Sequence, residues 1–254
     1  MTQPGYSYVQ VHDYRETGPE EREMAVSAEY PVNLSINGSH YATIACSGTE
    51  IEYLVTGHLI SEGIVLSVDS IQEFSFDPAT LSANVCTHDR REISPRGALT
   101  AAGGRGRLSV PGHEYVRAEL PEINAGTVSD SMESFLNHSR EHHLTGGVHS
   151  SALCTVSGDM VVFFDEIGRH NAVDKVIGYA ARKAIPLADK MILSTGRISS
   201  EIMFKLIYAR APVLVSRASP TSYSVNLARQ FNILTICRAR QGRFTVINGN
   251  EQIV

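Results

Sequence analysis

Between Thr145 and Lys175 the chain concentrates side chains able to bind anions or move protons. Gly146, Gly147 and His149 stand at one end of this stretch, and Asp165, Glu166, Arg169, His170, Asn171, Asp174 and Lys175 at the other. Imidazole titrates near neutrality, so His149 and His170 are candidate acid or base groups, with a purely structural role for each as the competing reading. Further guanidinium groups follow in Ser194-Thr195-Gly196-Arg197, in Ser216-Arg217-Ala218-Ser219 and in Arg238-Ala239-Arg240-Gln241-Gly242-Arg243. An arginine fork makes bidentate, charge-assisted bonds to phosphate, and glycine turns with helix N-termini supply backbone N–H groups. Two such loops beside an arginine-rich tail predict an anionic ligand of the nucleotide or dinucleotide kind.

Other chemistries lack their patterns. His142, His143 and His149 invite a metal reading, but adjacent side chains on a helix diverge and no further ligand spacing appears, so no metal is expected. There is no His-x-Glu with Pro-Cys-x-x-Cys, no Gly-x-Ser-x-Gly elbow and no Walker sequence. The four cysteines, Cys46, Cys86, Cys154 and Cys237, are far apart and form no Cys-x-x-Cys pair, which argues against a disulfide scaffold or a structural zinc. Cys154 and Cys237 sit in apolar runs and read as core thiols. Cys46 precedes an expected helix and Cys86 lies near His88, so these two are the candidate reactive thiols, Cys46 first, with an inert role as the preferred reading.

The elements that would position these groups follow from periodicity. Ala152 to Val156 and Met160 to Phe164 flank Ser157-Gly158-Asp159 as a hairpin. Upstream, Tyr6 to His12 alternates like a strand, and Gly18 to Glu23 reads as a solvated loop. Tyr30 to Ile36 and Tyr41 to Cys46 form a hairpin turning at Asn37-Gly38, because Asn and Gly tolerate positive φ. Ser47-Gly48-Thr49-Glu50 reads as a capping box opening a helix to Ser61, with Gly63 at its C-terminal end. A second hairpin turns at Asp77-Pro78, and Asp130 to His143 reads as one helix. Downstream, Asn171 is expected to cap a helix, with Asp174 compensating its dipole. Strands at Met191 to Leu193, Val213 to Val215 and Ile233 to Cys237 then alternate with helices at Ser199 to Arg210 and Pro220 to Phe231. That alternation predicts an α/β fold with parallel strands whose C-terminal ends hold the ligand.

At 254 residues, 43% hydrophobic and 19% charged, the chain can bury a substantial core. We expect a β-rich N-terminal part over 1–96, a Gly-rich loop over 97–112 and an α/β ligand-binding domain over 113–254. A net charge of −5 and a pI near 6.1 argue against a general nucleic-acid surface. No apolar run approaches the ~20 residues needed to cross a bilayer, and the start of the chain lacks a leader pattern, so a cytoplasmic, non-membrane protein is expected.

Several motifs together resemble one family, the formate dehydrogenase accessory proteins (FdhD), sulfur carriers for the molybdenum cofactor. They are Gly57-His58-Leu59-Ile60-Ser61-Glu62-Gly63-Ile64, Thr145-Gly146-Gly147-Val148-His149, Ile167 through Lys175, Ser194-Thr195-Gly196-Arg197 and Ser216-Arg217-Ala218, with Glu29-Tyr30-Pro31-Val32 and Asn37-Gly38 also matching. The resemblance implies a dimer with a cytidine-deaminase-like three-layer α/β domain, lacking zinc, beside a smaller β-rich α+β part. It also implies that sulfur is taken as a persulfide from a cysteine desulfurase and passed to bis-molybdopterin guanine dinucleotide, the cofactor formate dehydrogenase requires. By resemblance the cofactor-binding set comprises Gly146, Gly147, His149, Arg169, His170, Asn171, Asp174, Lys175, Arg197, Ser216, Arg217, Arg238, Arg240, Gly242 and Arg243.

One departure bears on the chemistry. The family's Cys-Gly-x-Cys-Gly corresponds to Ala102-Gly103-Gly104-Arg105-Gly106, and neither Ala102 nor Arg105 can form a persulfide. His58 also stands where the family has Phe. The sequence therefore predicts a cofactor-binding accessory protein whose sulfur transfer is lost or moved to another thiol. A non-catalytic guanine-nucleotide binder and a hydrolase using His149 and His170 are the alternatives.

Overall fold

A computed structural model describes residues 5–89 and 119–254. The expected Gly-rich loop, with Ala102 and Arg105, lies outside them, as do the expected boundaries at 96/97 and 112/113.

Strands β1 (Tyr6–Arg15) and β2 (Gly18–Ser27) form an antiparallel ribbon. The charge run expected as a loop is thus a strand. Its charges pair across the ribbon, Arg22 Nε with Asp13 Oδ2 at 2.8 Å and Arg15 with Glu20 at 3.3 Å, so charge patterning alone did not reveal the backbone pairing. β3 (Tyr30–Ile36) and β4 (Ser39–Cys46) join through Asn37 and Gly38 at φ 52° and 83°, the expected turn. With β5 (Ile71–Asp77) and β6 (Ser82–Thr87) they make a four-stranded sheet in the order β4-β3-β6-β5.

Helix α1 (Ile51–Ser61) is where periodicity placed it, but its start is not a capping box. Glu50 adopts a left-handed conformation without a side-chain cap, and Ser47 turns to Glu166 instead. The helix is buried on nearly every side. The expected single helix over 130–143 is two, α2 (Ala125–His138) and α3 (Arg140–Thr145). Asn124 caps the first, and Ser139 ends it and caps the second by accepting from His142 N.

The larger sheet contains β7 (His149–Thr155), β8 (Met160–Glu166), β9 (Lys190–Ser194), β10 (Val213–Ser216), β11 (Leu234–Arg240) and β12 (Arg243–Asn248), in the order β12-β11-β10-β9-β7-β8. β9, β10 and β11 are parallel, joined through α5 (Ser200–Ala209) and α6 (Ser222–Gln230). The arginine-rich tail is a hairpin: Gln241 and Gly242, at φ 52° and 69°, turn β11 into the antiparallel edge strand β12. Helix α4 (Arg169–Arg182) follows β8 and has its N-cap at Gly168, three residues before the expected cap. Asn171 lies inside it and donates from its side chain to the Ala45 carbonyl at 2.8 Å.

Two cores hold these layers. Val32, Leu34 and Ile44 of the small sheet pack with Leu54 and Leu59 of α1, Val173, Val176 and Ile177 of α4, and Ile192 and Leu214 under the large sheet. On the other face, Val128, Met132 and Phe135 of α2 cover Ala152, Met191, Leu193, Val213 and Val215. The N-terminal strands therefore share a core with the C-terminal half. The architecture is α/β, as expected; the finer relation to cytidine deaminases rests on the family resemblance.

Candidate functional site

The sheet order brings the C-terminal ends of β9, β10 and β11 beside the start of β7 and the end of β8. Ser151 pairs with Ser194 across β7 and β9, and His149 with Glu166 across β7 and β8. This edge gathers the loops singled out in the sequence.

The loops brace one another. Ser194 Oγ accepts from Gly196 N at 3.1 Å, Ser216 Oγ donates to the Gly196 carbonyl at 2.7 Å and accepts from Ala218 N at 3.1 Å, and Arg217 N donates to the Ser194 carbonyl at 3.1 Å. Arg238 N donates to the Ala218 carbonyl at 3.1 Å. The expected phosphate cradle of backbone amides is corrected here, since these amides are already committed inside the protein. The side chains are what remains: Arg197, Arg217, Arg238, Arg240 and Arg243 are exposed, and none has a carboxylate partner among the described residues.

A helix start does contribute, at α4. It has no side-chain cap, and Arg169 and His170 open its first turn without an acidic residue, so its N–H groups and dipole favour an anion. Arg169 is half-buried against Gly196, where a Cβ would stand 2.6 Å from the Arg169 Cβ. Gly196 is therefore what lets Arg169 lie across the loop. Burial and the neighbouring Arg197 lower the proton affinity of Arg169, against the pull of Glu201. His170 Nε2 lies 3.0 Å from Glu201 Oε2, and this contact holds the Glu201 carboxyl below its usual range despite partial burial.

His149 Nδ1 is 3.2 Å from Thr195 Oγ1, which also accepts from Ser150 N at 3.0 Å. Burial pushes the imidazole below its ordinary value, and Arg169, His142, His170 and Arg197 add to the effect. His149 is thus a neutral hydrogen-bonding group in a positive surround at neutral pH. Thr195, Arg217, Arg240, Gln241, Ser150 and His142 help line an adjoining cavity of about 440 Å³, within the range of small-molecule sites. Asp165 steadies its wall by accepting from Ser150 Oγ at 2.6 Å and Ser139 Oγ at 2.7 Å. Thr195, Ser139, Asp165, Gln241 and Glu201 were not in the expected cofactor-binding set. Three of them carried a signal: Thr195 in Ser-Thr-Gly-Arg, Asp165 in the polar cluster that ends the hairpin, and Gln241 in the arginine-rich tail.

The remaining candidates are scaffold by position. Gly146 ends α3 at φ 65°, and Gly147 N donates to Thr145 Oγ1 at 3.0 Å while its Cα lies close against Ser27. Lys175 and Glu166 are fully buried and paired at 2.7 Å, with Ser47 and Thr49 completing the lysine's bonds. Asp174, also buried, bonds Lys205 at 2.9 Å and Ser61 at 2.6 Å and lies 3.4 Å from His58 Nδ1. The expected dipole compensation by Asp174 gives way to this interior pairing.

The thiols are also placed. Cys46 is buried, and that burial, followed by the nearby Glu166, pushes it up to about 12, in keeping with the inert reading. Burial raises Cys154 to about 12 and Cys237 in the same direction. Cys86, on β6, is half-buried. Among the described residues, no three or more His, Cys, Asp or Glu side chains group as a metal site, and no helix is long and apolar enough to cross a membrane.

Comparison with known proteins gives a consistent picture. The chain is 33% identical over 248 residues to the sulfur carrier protein FdhD of Listeria innocua, covering 92% of this chain and 93% of that one. It is 31% identical over 246 residues to the Bacillus licheniformis protein of the same name, covering 92% and 91%. A crystal structure from Desulfotalea psychrophila, of a protein assigned as a formate dehydrogenase accessory protein, superposes with a TM-score of 0.85 over 99% of this chain and 100% of that one, at 22% identity. The model of the FdhD/NarQ family matches residues 27–254, and the chain belongs to that family.

Proposed function

We propose that this chain is an accessory protein of the sulfur-carrier type for formate dehydrogenase, binding bis-molybdopterin guanine dinucleotide as its client. The observation that carries the reading is the set of basic groups at this sheet edge: Arg169 at the uncapped start of α4 with Arg197 near it, and Arg217 and Arg240 lining the cavity. Such an edge suits phosphates, and the recess beside it is of a size to take a base. Arg197, Arg217 and Arg240 hold phosphate; Arg238, Gly242 and Arg243 extend the rim on the β11–β12 hairpin. Neutral His149 offers a hydrogen bond, and Ser216 with Gly146 and Gly147 shapes the loops. His170 sets Glu201, while Asn171, Asp174 and Lys175 hold the layers beneath. The bound cofactor supplies the acceptor for sulfur. The protein works as a homodimer in the cytoplasm.

Sulfur itself would come from a cysteine desulfurase, and here the chain departs from its family at Ala102 and Arg105. Three of its four thiols are buried and hard to ionise, leaving half-buried Cys86 as the second route. The reading is therefore a cofactor holder that carries no persulfide of its own. Mass spectrometry after incubation with a cysteine desulfurase and cysteine tests it: no cysteine should gain sulfur. A persulfide on Cys86 would replace this reading with that of an active carrier using a displaced thiol.

A further inference from the structure

A second recess lies away from the basic edge, where α1, α4 and α5 all end. Its volume is about 440 Å³, within the range of small-molecule sites. Ile177 and Ala180, neighbours on one face of α4, join Ile60 of α1, Tyr208 of α5 and Leu187 of the segment after α4 in an apolar lining. Ala180 stands about 17 Å along α4 from Arg169, at the end of the helix remote from the basic edge. Gly63, at φ 63°, leaves room for the Tyr208 ring, which a Cβ would meet at 2.5 Å. The end of α1 thus packs directly on α5 beside the recess.

The polar groups around the recess select the charge of its occupant. Carbonyls at the ends of the three helices are already bonded: Leu59 accepts from Ile64 N at 2.9 Å, Ala180 from Ile185 N at 2.8 Å and Leu206 from Ala211 N at 2.9 Å. Among the described residues no carboxylate lines the recess, and those nearby are engaged, Asp189 with Lys190 at 2.6 Å, Glu62 with Lys205 at 3.2 Å and Asp69 with Ser67 Oγ at 3.4 Å. A cation therefore finds no free acceptor in the recess. Arg210 is the one charged residue of the lining, exposed and without a carboxylate partner among the described residues. Lys183, exposed at the C-terminal end of α4, adds a second positive charge close by. We propose that this recess binds a small amphiphilic carboxylate, its apolar chain against Ile177 and Ala180 and its head on Arg210.

The extent of apolar surface sets the size of the occupant. Leu66, 90% exposed, is the one large apolar side chain of the lining that stands open to solvent. A stable protein interface takes about 800 Å² per partner, and it would have to cover the exposed charges of Asp69, Lys183 and Asp189 around the rim. A single chain that fills the recess and covers Leu66 leaves those charges in water. Burial of the chain supplies the affinity, and the arginine fork orients the head by charge-assisted bonds. The site shares no residue with the basic edge and does not depend on the ligand bound there.

Calorimetric titration of the full chain with sodium decanoate, up to about 1 mM free ligand, tests it. The wild type should bind one decanoate, and its thermal melt should rise with ligand concentration by mass action. Arg210→Gln, which removes the charge at an exposed position, should weaken binding about tenfold or more. Ala188→Trp, which places a large ring at an exposed point of the lining, should weaken it as much. Both variants should melt as the wild type does without ligand. Decyltrimethylammonium, of the same chain length and opposite charge, should not bind. No binding of decanoate by the wild type overturns the site. Equal binding of the cation, or undiminished affinity for decanoate in either variant, overturns it as well.

Discussion

Gly57 of α1 and Gly178 of α4 meet where the two helices cross, so closely that a Cβ on Gly178 would stand 2.7 Å from the Gly57 backbone nitrogen. A Cβ on Gly57 would overlap the Asp174 carbonyl oxygen, and one on Gly178 would overlap that of Tyr53. Both clashes are with backbone, which cannot rotate away. Gly57→Ala and Gly178→Ala should each destabilise the fold by at least about 3 kcal/mol, the upper part of the overpacking range. Urea unfolding of each variant measures this, with Gly146→Ala, where nothing lies within 4 Å of a Cβ, as a comparison for backbone strain without a clash.

The Glu166–Lys175 pair joins β8 and α4 to the Ser47 loop, with both side chains fully buried. Lys175→Met leaves the Glu166 charge without its counter-ion and should cost about 3–5 kcal/mol. Glu166→Gln combined with Lys175→Met removes both charges and should recover much of that loss. A double variant as unstable as Lys175→Met alone would show that the cost is packing rather than charge.

Asp174 and Lys205 define a pH window. Burial alone would raise the Asp174 carboxyl, but Lys205, His58 and Ser61 hold it below its usual value. Burial likewise opposes the charged Lys205, and Asp174 with Glu62 raises it nonetheless. The contribution of Asp174 is thus complete above the unfolded carboxylate value of about 3.9 and lost as pH falls further; that of Lys205 is complete below about 10.4 and lost as pH rises beyond. Stability from this pair should form a plateau between those limits. Asp174→Asn should lower the plateau and flatten its acid limb in urea titrations across pH.

Arg197 and Arg217 should matter to ligand binding and little to folding, being exposed and without carboxylate partners among the described residues. Calorimetric titration with guanosine diphosphate should show each alanine variant weakened about tenfold or more, the effect of losing a charge-assisted bond of about 1.5–3 kcal/mol. The melts should match the wild type. Unchanged affinity in both variants would remove this edge as the phosphate site.

Thiol accessibility should follow burial. In the native protein an alkylating reagent should label Cys86 first, with Cys46, Cys154 and Cys237 reacting only after denaturation, because the thiolate is the reactive form and burial suppresses it. Peptide mapping after timed labelling distinguishes the four. Early labelling of Cys46 would contradict its buried position.

Much of the fold was legible where local chemistry suffices. The Asn37-Gly38 turn, the β7–β8 hairpin and the alternation from β9 to β11 follow from positive-φ tolerance and side-chain period, which neighbours along the chain decide. Family membership was legible as well, because its motifs lie in continuous strings from Gly57 to Ala218.

What the tertiary structure alone decided was the direction in which each polar group points. Ser47 has the spacing of a helix cap, yet it faces Glu166 because a buried carboxylate needs donors more than a helix start does. Asp174 and Lys175 stand in the same motif as Arg169, but one further turn of α4 carries them inward to Lys205 and Glu166 while Arg169 stays at the sheet edge. Cys46 stands just before a helix, where sequence suggests a reactive thiolate; the small sheet and Glu166 enclose it and keep it protonated. Spacing along the chain determined which groups the site could draw on. Burial and long-range pairing, which spacing does not encode, determined which of them remain free to meet a ligand.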